Sequence, residues 1–435
     1  MKSLSRLLLL VGGAALTTAV SRRHHKPLQQ QHPLGVSSLP EYSRYSTSDA
    51  APSYRKTLLD LHRNLISIPS VSGNETTVAS WLADYLTSQG HTTSLQCVDS
   101  PSSNSTMVLA KSSLRCNVVV RSLSSQSSSA SPAPHLARVL VSSHIDVVPP
   151  YIPYAIDTSD EIGPDTLISG RGSVDAKASV AAQIVAVDQL LASNEIDGDD
   201  VMLLFVVGEE TTGDGMLSFS SSSDNQKFEA AIFGEPTENK LACGHKGIGL
   251  VTVSAQGKAG HSGYPWLGKS ATEVLARAIV KILDADFGCS DRFGNTTVNV
   301  GRMEGGVAAN VIARDAVARL AIRIATGNRT TGVEIVREKL EKILEETDGE
   351  ALSMEWLPGG YGPIECNCDV DGFETIGVNY GTDVPHLSGD HVSYLYGPGS
   401  ILVAHGDDEA LRVRDLETAV EGYKTLIKHV LKKAD

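Results

Sequence analysis

Two adjacent carboxylates, Glu209 and Glu210, close an unbroken apolar run that begins at Val201. Such a run reads as a buried strand, and charge at the end of a buried strand needs a partner. Groups of the right kind stand at the ends of three other apolar segments: His144 and Asp146 after residues 139–143, Asp175 after 168–172, and Glu235 after 230–234. Carboxylates and an imidazole are donors that hold a divalent cation. Together these residues read as a metal centre.

The spacing within each segment says what each residue could do. His144 and Asp146 are two apart on a strand, so their side chains leave the same face. The Asp146 carboxylate can then hydrogen-bond the His144 imidazole and fix its tautomer, as outer-shell partners do in zinc sites. Asp175 opens a helix, where a lone Asp is most often a cap for backbone N–H groups. A carboxylate bridging two cations would instead use both oxygens, and the glycines at 170 and 172 would let the backbone approach. Glu209 and Glu210 are consecutive and point apart, so one can bind metal while the other holds a proton.

These residues must be positioned by a sheet. Strands to Ser143, over 201–207 and over 230–234 alternate with a helix from about Asp175 to Ser193. That alternation predicts an α/β fold, whose ligand sites gather beyond the carboxyl ends of the strands. Two helices precede it, one carrying Leu58, Leu61 and Leu65 and one over 75–87. After Lys246 the order becomes strand (248–255), helix (270–283), strands (297–303 and 316–325), helix (332–346) and strand (351–356). This βαββαβ succession predicts a ferredoxin-like insert. The first fold then resumes with a strand over 399–404 and a helix over 415–431. The expected domains are 53–246 and 361–435 for the split catalytic unit and 247–360 for the insert.

At 435 residues the chain exceeds a single core, and its 41% hydrophobic and 20% charged content is that of a globular protein. A net charge of -14 leaves no basic surplus for a nucleic-acid partner. Lys2 and Arg6 precede an apolar run from Leu7 to Leu16, followed by Thr17, Thr18 and Ala19. This is the pattern of a secretory signal peptide over 1–19, too short for the ~20 residues that span a membrane. Residues 20–52, rich in Ser, His, Gln and Pro and carrying Arg22-Arg23, read as a mobile leader, and 122–131 as a Ser-rich surface loop. Export makes Asn74, Asn104, Asn295 and Asn328, each in an Asn-x-Ser/Thr sequon, candidate glycosylation sites. Six cysteines form an even set that an oxidising compartment could pair, and no CxxC pair points to a zinc knuckle.

Five motifs in order carry a family resemblance: Ser143-His-Ile-Asp-Val-Val-Pro149, Gly170-Arg-Gly-Ser-Val-Asp-Ala-Lys177, Gly208-Glu-Glu210, Gly234-Glu-Pro-Thr237 and Gly260-His-Ser-Gly-Tyr-Pro265. From about Tyr54 to the C-terminus the chain resembles the M20 metallopeptidases, a family that includes glutamate carboxypeptidase, aminoacylase, acetylornithine deacetylase and succinyl-diaminopimelate desuccinylase. The resemblance implies a zinc-peptidase-like catalytic domain with a central mixed sheet, interrupted by a ferredoxin-like lid and dimerisation domain. It implies two Zn²⁺ per subunit, held by His144, Asp175 as the bridge, Glu210, Glu235 and a late His. His405 takes that place in preference to His386 and His391. Glu209 would be the general base, and His261, from the partner of a homodimer, would bind the developing oxyanion. Asn310 and Arg323 would contact substrate, with Lys246 a weaker candidate for its carboxylate; the bland reading of Lys246 is a charged strand edge. Relatives often have Pro where this chain has Ala313, a departure that hardly touches the chemistry.

The expected reaction is hydrolysis of an amide beside a free carboxylate. Export ranks a secreted carboxypeptidase acting on peptides first and an N-acyl amino acid deacylase second. A secreted binding glycoprotein with a dead metal site is a third reading, which the complete ligand set and intact Glu209 oppose. A serine hydrolase has little support, since there is no GxSxG elbow.

Overall fold

The computed structural model describes residues 51–98, 114–122, 137–157, 161–222 and 227–432. The signal peptide, nearly all of the leader, Asn104 and most of the Ser-rich loop lie outside the described residues. Four strands at the centre of the main sheet, Val201–Val206, Val139–His144, Ala230–Gly234 and Val392–Tyr396, run parallel in that spatial order. The first three are buried along their whole length, which is why they read as unbroken apolar runs. Antiparallel strands extend the sheet on both sides: Arg115–Ser122 and Thr92–Val98 beyond the Val201 strand, and Leu241–His245 beyond the Val392 strand.

Helix Lys177–Ala192 is buried on nearly every side, packed against the sheet and between helices Arg55–Ser67 and Val413–Lys432. Its small and apolar residues all round suit a helix covered on all faces. Leu58, Leu61 and Leu65 of the first helix are fully buried, as their spacing predicts.

The fold is the mixed α/β arrangement expected, with one element misplaced. The apolar run Ile401–Ala404 is a turn and not a strand; Leu402 is 86% exposed. The strand that completes the parallel core lies earlier, at Val392–Tyr396, and Gly397-Pro398-Gly399 ends it. An apolar run near the cavity mouth thus imitates the periodicity of a buried strand.

The insert forms its own four-stranded antiparallel sheet, in the order Thr297–Gly305, Asp315–Ile324, Gly247–Gln256, Leu352–Trp356. Helices Ala271–Asp284 and Gly332–Asp348 contribute Leu275, Ile279, Ile282, Val336, Leu340 and Leu344 to a separate core. Ser270 caps the first of them, its hydroxyl accepting the Glu273 N–H. This spatial order is that of the ferredoxin-like succession read from the sequence. Disulfides join Cys97 to Cys116 across the edge strand and its neighbour and Cys243 to Cys368 across the two ends of the insert. Cys289 and Cys366 stay unpaired, the latter buried, so the even count of cysteines does not yield a fully paired set.

Candidate metal centre

His144 ends its strand with its Nε2 3.0 Å from Asp175 Oδ1, both groups buried. Its Nδ1 donates to the Asp146 main-chain carbonyl at 2.9 Å, which turns Nε2 towards the Asp175 carboxylate. The tautomer is therefore fixed by a backbone oxygen rather than by the Asp146 carboxylate, whose nearest oxygen is 3.5 Å away. That carboxylate instead accepts the Ser72 hydroxyl at 2.7 Å and the main-chain N–H groups of Glu209 and Glu210 at 3.1 and 3.3 Å. Asp146 thus places the diglutamate turn beside the histidine.

Asp175 caps no helix: Lys177–Ala192 begins two residues later without a side-chain cap. Its second oxygen lies 3.2 Å from His405 Nε2, which is itself 3.0 Å from Glu210 Oε2. One carboxylate therefore sits between two imidazoles, as a bridge requires. Donor atoms of His144, Asp175 and Glu210 all lie within 4.8 Å of one another, as do those of His144, Glu209 and Glu235.

The turn after Val206 has its own construction. The N–H groups of Thr211, Thr212 and Gly213 converge on the Gly208 carbonyl. A Cβ on Gly208 would overlap the side chains of Asp214 and Arg115. Arg115 donates to Asp214 at 2.7 Å and to Glu75 at 2.9 Å, tying the turn to the second helix.

Burial and mutual repulsion govern the electrostatics. Burial raises the carboxyls of Glu209 and Glu235 well above the usual range, and the neighbouring carboxylates add to the shift. Burial alone would lower His144, but Asp146, Asp175, Glu209 and Glu235 lift it well above an ordinary imidazole. Hydrogen bonds to the Asp175 and Glu210 carboxylates push His405 up to about 10. Burial would raise Asp175, yet its two imidazole partners hold it below the usual carboxylate range. A site that draws in protons this strongly is short of positive charge, and two imidazoles with four carboxylates match divalent metal chemistry.

A cavity of about 820 Å³ opens over Asp175, Glu209, Glu210, Glu235 and His405. Its far wall comes from the insert and includes Arg323, Ile248 and Leu250. Arg329, Tyr361, Tyr380 and Thr382, which no sequence motif singled out, also line it, as does His386, ranked behind His405 for the second ion. Buried Asp383 accepts from His386 Nδ1 at 3.0 Å. The only local signal was Gly381-Thr382-Asp383, a polar turn after an edge strand. His391 is not among the cavity residues.

Three expected residues are elsewhere. Lys246 is buried, and its ammonium donates to the Asn295 carbonyl at 2.6 Å, so it braces the insert rather than facing the cavity or an exposed strand edge. His261 and Asn310 lie on two facing segments of the insert instead: His261 pairs with Val311 on a short ladder, and Ser262 N–H donates to the Asn310 carbonyl. Both are exposed and outside this chain's own cavity.

Residues 243–351 match the family model described as Peptidase dimerisation domain. A "Peptidase M20 domain-containing protein" of Sordaria macrospora is 58% identical over 403 residues, covering 89% of this chain and 87% of that one. A "Probable carboxypeptidase" of Neosartorya fischeri is 42% identical over 456 residues and all of both chains. Among solved structures, a tripeptidase of Staphylococcus aureus superposes with a TM-score of 0.67 at 19% identity, over 87% of this chain and 99% of that one. An M20 family metallo-carboxypeptidase of Sulfolobus solfataricus gives 0.59 at 17% identity, over 86% and 99%.

Proposed function

The chain belongs to the M20 peptidase family, and from that membership we propose that it is a carboxypeptidase cleaving the amide next to a free C-terminal carboxylate. The observation that carries the reading is one cavity holding both the carboxylate and imidazole cluster and, on its far wall, the guanidinium of Arg323.

His144, Asp175, Glu210, Glu235 and His405 would hold two Zn²⁺ ions, with Asp175 between them. Bound there, the pair would supply Lewis acidity and a water acidified towards neutral pH. Glu209 takes the attacking water's proton and returns it to the leaving amine nitrogen. Asp146 keeps Glu209 in place through its main-chain N–H. Arg323 receives the substrate's free carboxylate by charge-assisted hydrogen bonding. His261 of the partner subunit donates to the developing oxyanion, with Asn310 of the partner subunit beside it on the substrate. The exposure of both residues and the match to a dimerisation domain support this arrangement.

The protein is exported after loss of residues 1–19, with glycans on Asn74, Asn104, Asn295 and Asn328. Two disulfides suit an oxidising compartment, and Asn74, Asn295 and Asn328 are exposed.

The test is turnover of N-blocked dipeptides, their C-terminal amides and N-acetyl amino acids, before and after chelation and zinc return. Hydrolysis of the free-carboxylate dipeptides alone, lost on chelation and restored by zinc, is the expected result. Equal turnover of the amides, or turnover only of N-acetyl amino acids, overturns it.

A further inference from the structure

Arg171 and Glu409 form an ion pair that is 1% exposed on each side, with Nη1 2.6 Å from Oε2. Arg171 is among the largest fully buried side chains of the described residues. Burying two charges is costly, and the pair persists where further hydrogen bonds satisfy the remaining atoms. Here those bonds go to the peptide units of two candidate metal ligands. Glu409 Oε1 accepts the N–H groups of Val174 at 3.0 Å and of Asp175 at 3.2 Å. Arg171 Nη2 donates to the His405 carbonyl at 3.2 Å, and Nη1 to the Gly406 carbonyl at 3.1 Å. His405 has φ 64°, a left-handed conformation unusual for a residue other than glycine. The side chains of Asp175 and His405 then meet at 3.2 Å. The same fork that joins the two charges therefore fixes both backbones from which these side chains reach each other.

We propose that Arg171 and Glu409 are positioning residues for the metal centre, setting the distance between Asp175 and His405 and hence the affinity of the metal those two share. The proposal rests on the dizinc reading above. It predicts an effect on binding first and on turnover through binding: neither residue lines the cavity. Outer-shell substitutions of this kind typically cost ~10- to 100-fold in metal affinity.

The experiment is zinc titration of the purified full-length protein against a chromophoric chelator, with thermal unfolding and turnover at rising zinc. In Glu409→Gln one of the two zinc ions should bind ~10- to 100-fold more weakly, with turnover returning at saturating zinc and KM unchanged. Should Glu409→Gln not fold, Arg171→Lys keeps the charge, loses the fork and should weaken the same ion. Arg55→Met breaks the ion pair with Glu417, remote from the cluster, and should lower the melting temperature while both zinc affinities stay normal. Two zinc ions held with wild-type affinity in Glu409→Gln or Arg171→Lys overturn the proposal. A wild-type protein that binds fewer than two overturns the dizinc reading itself.

Discussion

Glu209 and Glu210 are neighbours with different surroundings, and the difference suits the separate roles proposed for them. Glu210 Oε1 meets His405 Nε2 at 3.1 Å, whereas burial and then the nearby Glu235 carboxylate raise the proton affinity of Glu209, as suits a group that is to take a proton from water. Glu209→Gln should keep the shape and the metal but lower kcat by ~10²- to 10⁴-fold. Near-normal turnover in that variant, with metal content verified, would remove Glu209 from the mechanism. Asp175→Ala should lose metal as well as rate, because its two oxygens meet both imidazoles. Elemental analysis finding two tightly bound ions in that variant would contradict a bridging Asp175. Of the candidate ligands, His144, Glu210 and Glu235 were legible in the sequence because each stands at the end of a fully buried strand, where charge demands a reason; His405 was named by the resemblance alone. Asp383 was not legible: its meaning lies in its bond to His386 of the cavity wall, and no periodicity announces that. Lys246 illustrates the reverse error, a cation beside the site in sequence whose ammonium points at a carbonyl.

The turn from Gly208 to Gly213 is the element on which the diglutamate depends. Gly213 has φ 64°, and a Cβ there would lie 2.2 Å from His386 Nδ1. Gly213→Ala should therefore combine roughly 1 to 2 kcal/mol of left-handed strain with displacement of the imidazole, slowing turnover. Adding His386→Ala removes the overlap and leaves the strain. A double-mutant cycle on melting temperature should show coupling between the two, and strict additivity would mean that they do not touch in solution. Elements with continuous or helical apolar patterns could be read in advance. The edge strand Thr92–Val98 and the interior strand Leu241–His245 could not, because their residues are short, polar or mixed and gain order from neighbours. The run at Ile401–Ala404 misled for the opposite reason, being apolar without being covered.

For the molecule as a whole, two buried imidazoles predict acid lability. Burial lowers His62 and His245 to about 4. The unfolded chain takes up these protons near pH ~6.5, so their contribution is complete above that value and is lost as pH falls towards 4. The loss approaches roughly 3 kcal/mol for each group. Melting temperatures from pH 7.5 to 4.5 should fall less steeply for His62→Gln than for wild type; parallel curves would show that His62 does not titrate on unfolding. Quaternary structure gives another test. His261→Ala and Glu209→Gln homodimers should both be nearly inactive, while exchanged heterodimers regain turnover at the one site free of both changes. No gain in verified heterodimers would return His261 to its own chain or leave it without a role. The resemblance named His261 and Asn310, but one chain alone could not place them at a site. The covalent link between Cys243 and Cys368 has a mechanical corollary. The 125-residue separation it spans contains the whole insert, so tension applied at the chain ends runs through the bridge and bypasses that domain. Pulled under oxidising conditions, the protein should release a contour length shorter by on the order of 400 Å than after reduction, at ~3.3 to 3.6 Å per residue.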